Sequence, residues 1–190
     1  MLDNKEFDKI RQELDDFDKK REELIQLSRE VIMLSKRVIY AVHRDDMKSA
    51  SQALKEIEAK KAELDKKNIT LDTNMNKTAY QEYVEAACFY YFQKDGKMPS
   101  KKTLNVDTES FLLGLCDLTG ELMRKGVNSV INKKYQDAIK IKDLVDEIYG
   151  QFLQFNLRNS ELRQKSDQIK WNLKKLEEVA YELHMKGMIK

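Results

Sequence analysis

The sequence predicts an all-α fold of six or seven helices, and three observations predict it. One proline and six glycines among 190 residues leave few places where a helix must stop. Apolar residues recur at helical spacing along the whole chain and nowhere alternate as a strand requires. Charges alternate in sign at i,i+4, as in Glu56–Lys60 and Glu63–Lys67, in the favourable Glu-before-Lys order. Charged residues make up 36% of the chain, well above the usual ~25%. No repeat of fixed length and no Gly/Ser/Pro-rich linker interrupts the pattern, so residues 1–190 read as a single domain.

The elements follow in order. Residues 3 to about 45 read as one very long helix. Ile10, Phe17, Leu24, Val31 and Val38 recur every seven residues, with Phe7 and Leu14 between them, a seam made for another helix. At ~1.5 Å per residue such a helix runs ~60 Å, too long for a chain of this size to cover by itself. The stretch "MKSASQALKEIEAKKAELDKK" (47–67) gives a second helix whose charge run is a solvated face. "NITLDTN" breaks the pattern, and a third helix runs from about Thr73 to Lys94. The segment "KDGKMPSKKTLNVD" holds an Asp-Gly and the only proline, which makes it the longest loop, with room for one helical turn from Ser100. Asp107 is positioned to cap a helix over 108–131, with Glu109 favourable in its first turn. After the connector "INKKYQD", residues 138–157 form a further helix, and Ser160 to Met185 the last, stopped before Gly187.

Composition excludes several functions. A net charge of +2 leaves no global basic footprint, so nucleic-acid contact must come from a local patch. No leader-like apolar region follows Met1 and no run approaches the ~18 apolar residues of a membrane span. A soluble, cytoplasmic protein without membrane contact is expected. Cys88 and Cys116 lie in apolar helical stretches and read as buried, reduced thiols, since zinc would need more ligands at short spacing. A di-iron carboxylate bundle would need Glu-x-x-His pairs; the two histidines, His43 and His184, follow Tyr40 and Tyr181 at that spacing.

Two constellations remain. In "QEYVEAACFYYF" (81–92), Glu82 and Glu85 stand three apart in an otherwise apolar helix. In the helix over 108–131, Phe111, Leu112, Leu115, Leu118, Leu122, Met123 and Val130 gather on one side. Ser110, Gly114, Asp117, Glu121, Arg124 and Asn128 gather on the other. Like charges at these spacings repel. If the two helices met face to face, the four carboxylates would need cations, and an oxygen-only set suits Mg²⁺, with Mn²⁺ as an alternative. Two such ions can activate a water and stabilise the leaving oxygen of a phosphodiester. Among 33 acidic residues, however, pairs at helical spacing also arise by chance, and spacing alone does not separate the two origins. Gly114, a mid-helix glycine one turn before Asp117, costs ~1 kcal/mol relative to alanine. Room for the carboxylate or close helix packing would account for it. The second constellation is the stripe Arg29, Met33, Lys36, Tyr40 and His43, flanked by Arg37 and Arg44. Cations interleaved with a tyrosine suit a phosphate backbone with unstacked bases. A plain exposed helix face is the simpler account of the same stripe.

Several segments together resemble the translin family, and within it the nuclease branch of translin-associated factor X (Trax). They are "LSREVIMLSKRVIYAVHR" (27–44), "YQEYVEAACFYYF" (80–92) and "FLLGLCDLTGELMRKGVNSV" (111–130). The tail "FNLRNSELRQKSDQIKWNLKKLEEVAYELHMKG" (155–187) looks more like the translin branch. The resemblance is collinear over most of the chain, and "DLTGELMR" and "EYVEA" are its specific motifs. It implies a seven-helix subunit assembling into a barrel-like octamer around nucleic acid. It also implies a Mg²⁺-dependent endoribonuclease for single-stranded RNA, with single-stranded DNA as a second substrate class. By this similarity Glu82, Glu85, Asp117 and Glu121 are the catalytic, metal-holding acids, with Lys36 and Arg124 at nearby basic positions. Arg29, Arg37, His43 and Arg44 are further RNA-contact candidates. Translin-type subunits bind nucleic acid but lack most of these acids, so a non-catalytic binding protein is the alternative. Trax-like acids on a compact chain with a translin-like tail imply a homo-oligomer of the archaeal Trax-like type.

Overall fold

The computed structural model describes residues 3–67, 74–158 and 160–189. They form seven helices: α1 (Asn4–His43), α2 (Met47–Lys67), α3 (Asn74–Asp95), α4 (Lys101–Leu104), α5 (Thr108–Ile131), α6 (Tyr135–Phe152) and α7 (Glu161–Met185). No strand occurs among the described residues, so the all-α class predicted from periodicity holds. The break at "NITLDTN" falls almost wholly on residues outside the described ones.

The helix starts follow their caps. Ser100 accepts a hydrogen bond from the Thr103 amide at 3.1 Å and starts α4, and Asp107 accepts from Ser110 N–H at 2.9 Å to start α5. Gly187, at φ +65°, closes α7. The connector before α6 is shorter than predicted. Lys133 takes a left-handed conformation (φ +61°), which turns the chain within residues 132–134, and α6 begins at Tyr135 rather than at 138. It also ends at Phe152 rather than at 157. Phe155, which extended the apolar pattern, meets Phe152 edge-on at 5.6 Å from outside the helix.

The long α1 divides in two. Leu24, Val31 and Val38 are fully buried against α2 and α3, whereas every residue from 3 to 23 is exposed. Phe7, Ile10, Leu14 and Phe17, the first half of the heptad seam, therefore stand in solvent on a helix that outruns the bundle. The seam is continuous; the subunit covers only half of it.

α5 lies at the centre, packed on α3, α6 and α7. Gly114 explains how close α3 comes: a Cβ there would stand 2.7 Å from the Gln81 carbonyl and from Val84 Cβ. Close packing is thus the reason for the glycine. At Gly126 the neighbour is softer: a Cβ would meet Cδ2 at the end of the Leu176 side chain of α7 at 2.6 Å. Lys125 is buried, and its ammonium donates to the Val42 carbonyl (3.0 Å), the His43 carbonyl (3.3 Å) and Asp45 (2.6 Å). A cation on the last carbonyls of a helix complements its dipole, so Lys125 fixes the end of α1 on α5.

Candidate metal and nucleic-acid site

The Gly114 contact sets two acidic turns side by side. Gln81 and Val84 on α3 are the residues that fill the glycine notch, so Glu82 and Glu85 flank that contact. One and two turns beyond Gly114, α5 presents Asp117 and Glu121. All four carboxylates are close enough to interact: Asp117 and Glu121 both push the Glu82 and Glu85 carboxyls upward.

The four are held differently. Glu85 is only 7% exposed, and among the described residues its carboxylate has no hydrogen-bond donor. Burial, then the charges of Asp117, Glu82 and Glu121, raise its pKa to about 8. Glu82 is half-buried and also raised by burial, with Lys36 on α1 opposing the shift. Glu121 goes the other way. His43 is hydrogen-bonded to it through Nε2, and this bond holds the carboxyl below the usual range. The His43 ring packs on Phe89, centroids 5.0 Å apart, and its Nδ1 is buried without a partner. A bare acceptor is the cheaper orphan, so Nε2 carries the proton and donates to Glu121. Arg124 adds a looser contact to Glu121 at 3.4 Å.

Asp117 is partnered by residues that the sequence reading did not single out. Gln81 donates to it, and Lys165 of α7 donates to both of its oxygens, at 3.0 and 2.8 Å. The signal for Lys165 lay in the spacing. Leu162, Ile169, Leu173 and Leu176 form the buried seam of α7, and Lys165 sits at a seam position between Leu162 and Ile169. A lysine there needs an anion opposite. Its partner, 48 residues away, could not be read from the chain.

The basic stripe of α1 splits. Lys36 and His43, two turns apart, face the acids, and His43 is committed to Glu121 rather than open to a strand. Arg37, Tyr40 and Arg44 instead line an open groove of about 490 Å³ between α1 and α2. Arg44 donates to the Tyr40 hydroxyl (2.9 Å) and lies over its ring at 5.4 Å, leaving the tyrosine 58% exposed. Arg29 is exposed on the same helix. Cys88 and Cys116 are free and buried, with burial pushing both thiols up to about 12.

Among the described residues, no three His, Cys, Asp or Glu side chains are gathered closely enough to hold a metal ion as they stand. The donor chemistry nevertheless fits a hard divalent cation. The donor set is oxygen-rich: Glu85, buried and without a donor among the described residues, stands beside three more carboxylates, the chemistry a hard divalent cation takes.

A protein-family model, that of the translin family, matches residues 19–187. The chain belongs to the translin family. Translin-associated protein X of Rattus norvegicus is 26% identical over 95% of this chain and 78% of its own length. Translin of Gallus gallus is 36% identical over 90 residues, which are 47% of this chain and 39% of that protein. The chain thus spans about two-fifths of the length of the curated translins it matches. Among solved structures, apo-NeC3PO superposes with a TM-score of 0.87 at 31% identity, covering 95% of this chain and 97% of the other. AfC3PO in its duplex RNA complex superposes at 0.86 with 22% identity, covering 97% and 100%, a likeness of fold. This translin-family subunit has no helix, among the described residues, long and apolar enough to cross a membrane.

Proposed function

We propose that this translin-family chain is a Mg²⁺-dependent endoribonuclease for single-stranded RNA, acting as a cytoplasmic homo-oligomer. The observation that carries this reading is Glu85, a buried carboxyl without a donor amid three other acids from two helices. Glu82, Glu85, Asp117 and Glu121 would hold the cation, with Mn²⁺ as a substitute. A cation in such a site supplies activation of water and neutralisation of the leaving oxygen. Lys36 and Arg124 border the acids and are suited to gripping the scissile phosphate and offsetting its growing charge. Arg37, Tyr40 and Arg44, with Arg29, are suited to the flanking strand, the tyrosine face by stacking and the guanidiniums by charge. Single-stranded DNA offers the same backbone and is a second substrate class.

The exposed half of α1 supports assembly. Four large apolar side chains at heptad spacing on a free helix are covered most simply by another subunit. A closed barrel, an octamer as the family resemblance implies, would also shield the acids. Light scattering at working concentration is expected to give a mass several times 22.4 kDa, and a monomer would overturn the assembly.

The alternative is a non-catalytic RNA-binding protein of translin type. The pairing of Asp117 with Lys165 and of Glu121 with His43 favours it, because both acids already have partners within the chain, an ammonium and an imidazole N–H. End-labelled single-stranded RNA incubated with Mg²⁺, Mn²⁺ or EDTA separates the two. Fragments that need the metal and fall at least about a hundredfold in Asp117→Asn are expected. A retarded but uncut RNA in every lane would establish the binding protein.

A further inference from the structure

Lys165 is the ammonium that contacts Asp117, yet nothing in the architecture of α7 requires it. Leu176 packs against Gly126 of α5, and Asn172 donates to Thr119 at 2.9 Å, so α7 is already fixed to α5 about two and three turns away. A charged pair at a seam position is a poor strut. Its desolvation offsets its attraction, and an apolar side chain of similar volume serves as well or better. What Lys165 does is electrostatic. Its ammonium bridges both oxygens of Asp117 and also favours the charged forms of Glu82 and Glu85, so it reaches three of the four acids. The fourth, Glu121, has His43.

We propose that Lys165 is a resident counter-cation, holding Asp117 in the metal-free protein and leaving it when a divalent ion enters. The inference rests on the metal reading above and adds a residue to it. An ammonium that bridges both oxygens of a carboxylate competes with a metal ion for the same lone pairs, and the two cations repel. The ammonium is the one that can leave, because it hangs on a flexible four-carbon stem and is partly exposed to water. The exchange accounts for a site with the right acids but no three of them gathered as a ligand set: Asp117 is turned to Lys165. It also sets a threshold, since a metal ion at Asp117 must first displace the Lys165 ammonium.

The test is direct Mn²⁺ binding, read as the loss of the free-ion electron paramagnetic resonance signal. Wild type would be compared with Lys165→Met, which keeps the stem and removes the charge. The variant is expected to bind Mn²⁺ tighter, on the order of tenfold or more. Equal or weaker binding by a folded variant would overturn the proposal and leave Lys165 as a strut, while the metal reading would survive. No binding by either protein would overturn both readings together. Should the variant fail to fold, crystals of the wild type grown with Mn²⁺ decide the matter by anomalous scattering. A manganese peak at Asp117 with the Lys165 ammonium moved off supports the exchange. A peak with the ammonium still on both oxygens refutes it.

Discussion

The two acidic pairs carry the same charge on adjoining helices and are treated in opposite ways. On α5, each acid has a cationic or proton-donating partner from a remote helix: Lys165 of α7 on Asp117, His43 of α1 on Glu121. On α3, neither Glu82 nor Glu85 has a hydrogen bond or ion pair among the described residues, and Glu85 is the more deeply buried of the two. Packing explains the α5 pair, since the helices around this central element bring a donor to each of its half-buried acids. It does not explain the α3 pair. The proposed cation would match these carboxyls from outside the chain, and this difference, more than the count of acids, is what supports the proposal.

The difference has a sign that can be measured without substrate. Glu85 is pushed to about 8 in the folded protein, against an ordinary carboxyl near 4.5 when unfolded. Its protonated form is therefore favoured by folding. That contribution is complete below pH 4.5 and is lost as pH rises towards 8. Glu85→Gln fixes the neutral form. In EDTA, and at one protein concentration because assembly shifts apparent stability, the variant is expected to match wild type near pH 4.5. It should exceed wild type increasingly up to pH 8, by a few kcal/mol at ~1.4 kcal/mol per pK unit. Urea midpoints at pH 5 and pH 8 would show it. A variant less stable than wild type at pH 8 would mean that Glu85 has an internal partner, and the comparison would collapse.

The same contrast shows what could and could not be read from the chain. Helix class, the caps at Ser100 and Asp107 and the stop at Gly187 are local, and the sequence carried each of them. The ends of α6 were misread because the left-handed Lys133 shortens the connector and because Phe155 continued an apolar period from outside the helix. The four acids were legible as charges out of place in apolar helices, and Gly114 signalled the contact that brings them together. Their partners were not legible. Lys165 and His43 reach the site from residues 48 and 78 positions away, a distance fixed by packing rather than by any local pattern. Only the anomaly of a lysine in the apolar seam of α7 pointed there.

A smaller effect of opposite sign is expected on α5. Glu121 is held below the ordinary carboxyl range by His43, so its charged form contributes stability above pH 4.5 that is lost as pH falls through and below that value. Glu121→Gln keeps an acceptor for the His43 N–H but removes its charge. It should therefore cost about 1.5–3 kcal/mol near neutral pH, the range of a hydrogen bond to a charged group. The deficit should shrink as pH falls below 4.5, where wild type begins to lose that stabilisation. The two glutamine variants should therefore diverge as pH rises, Glu85→Gln gaining on wild type between pH 4.5 and 8 while Glu121→Gln falls behind it. If both shift stability in the same direction at pH 8, the acids on the two helices are equivalent. The α3 pair would then lose its claim to an external cation.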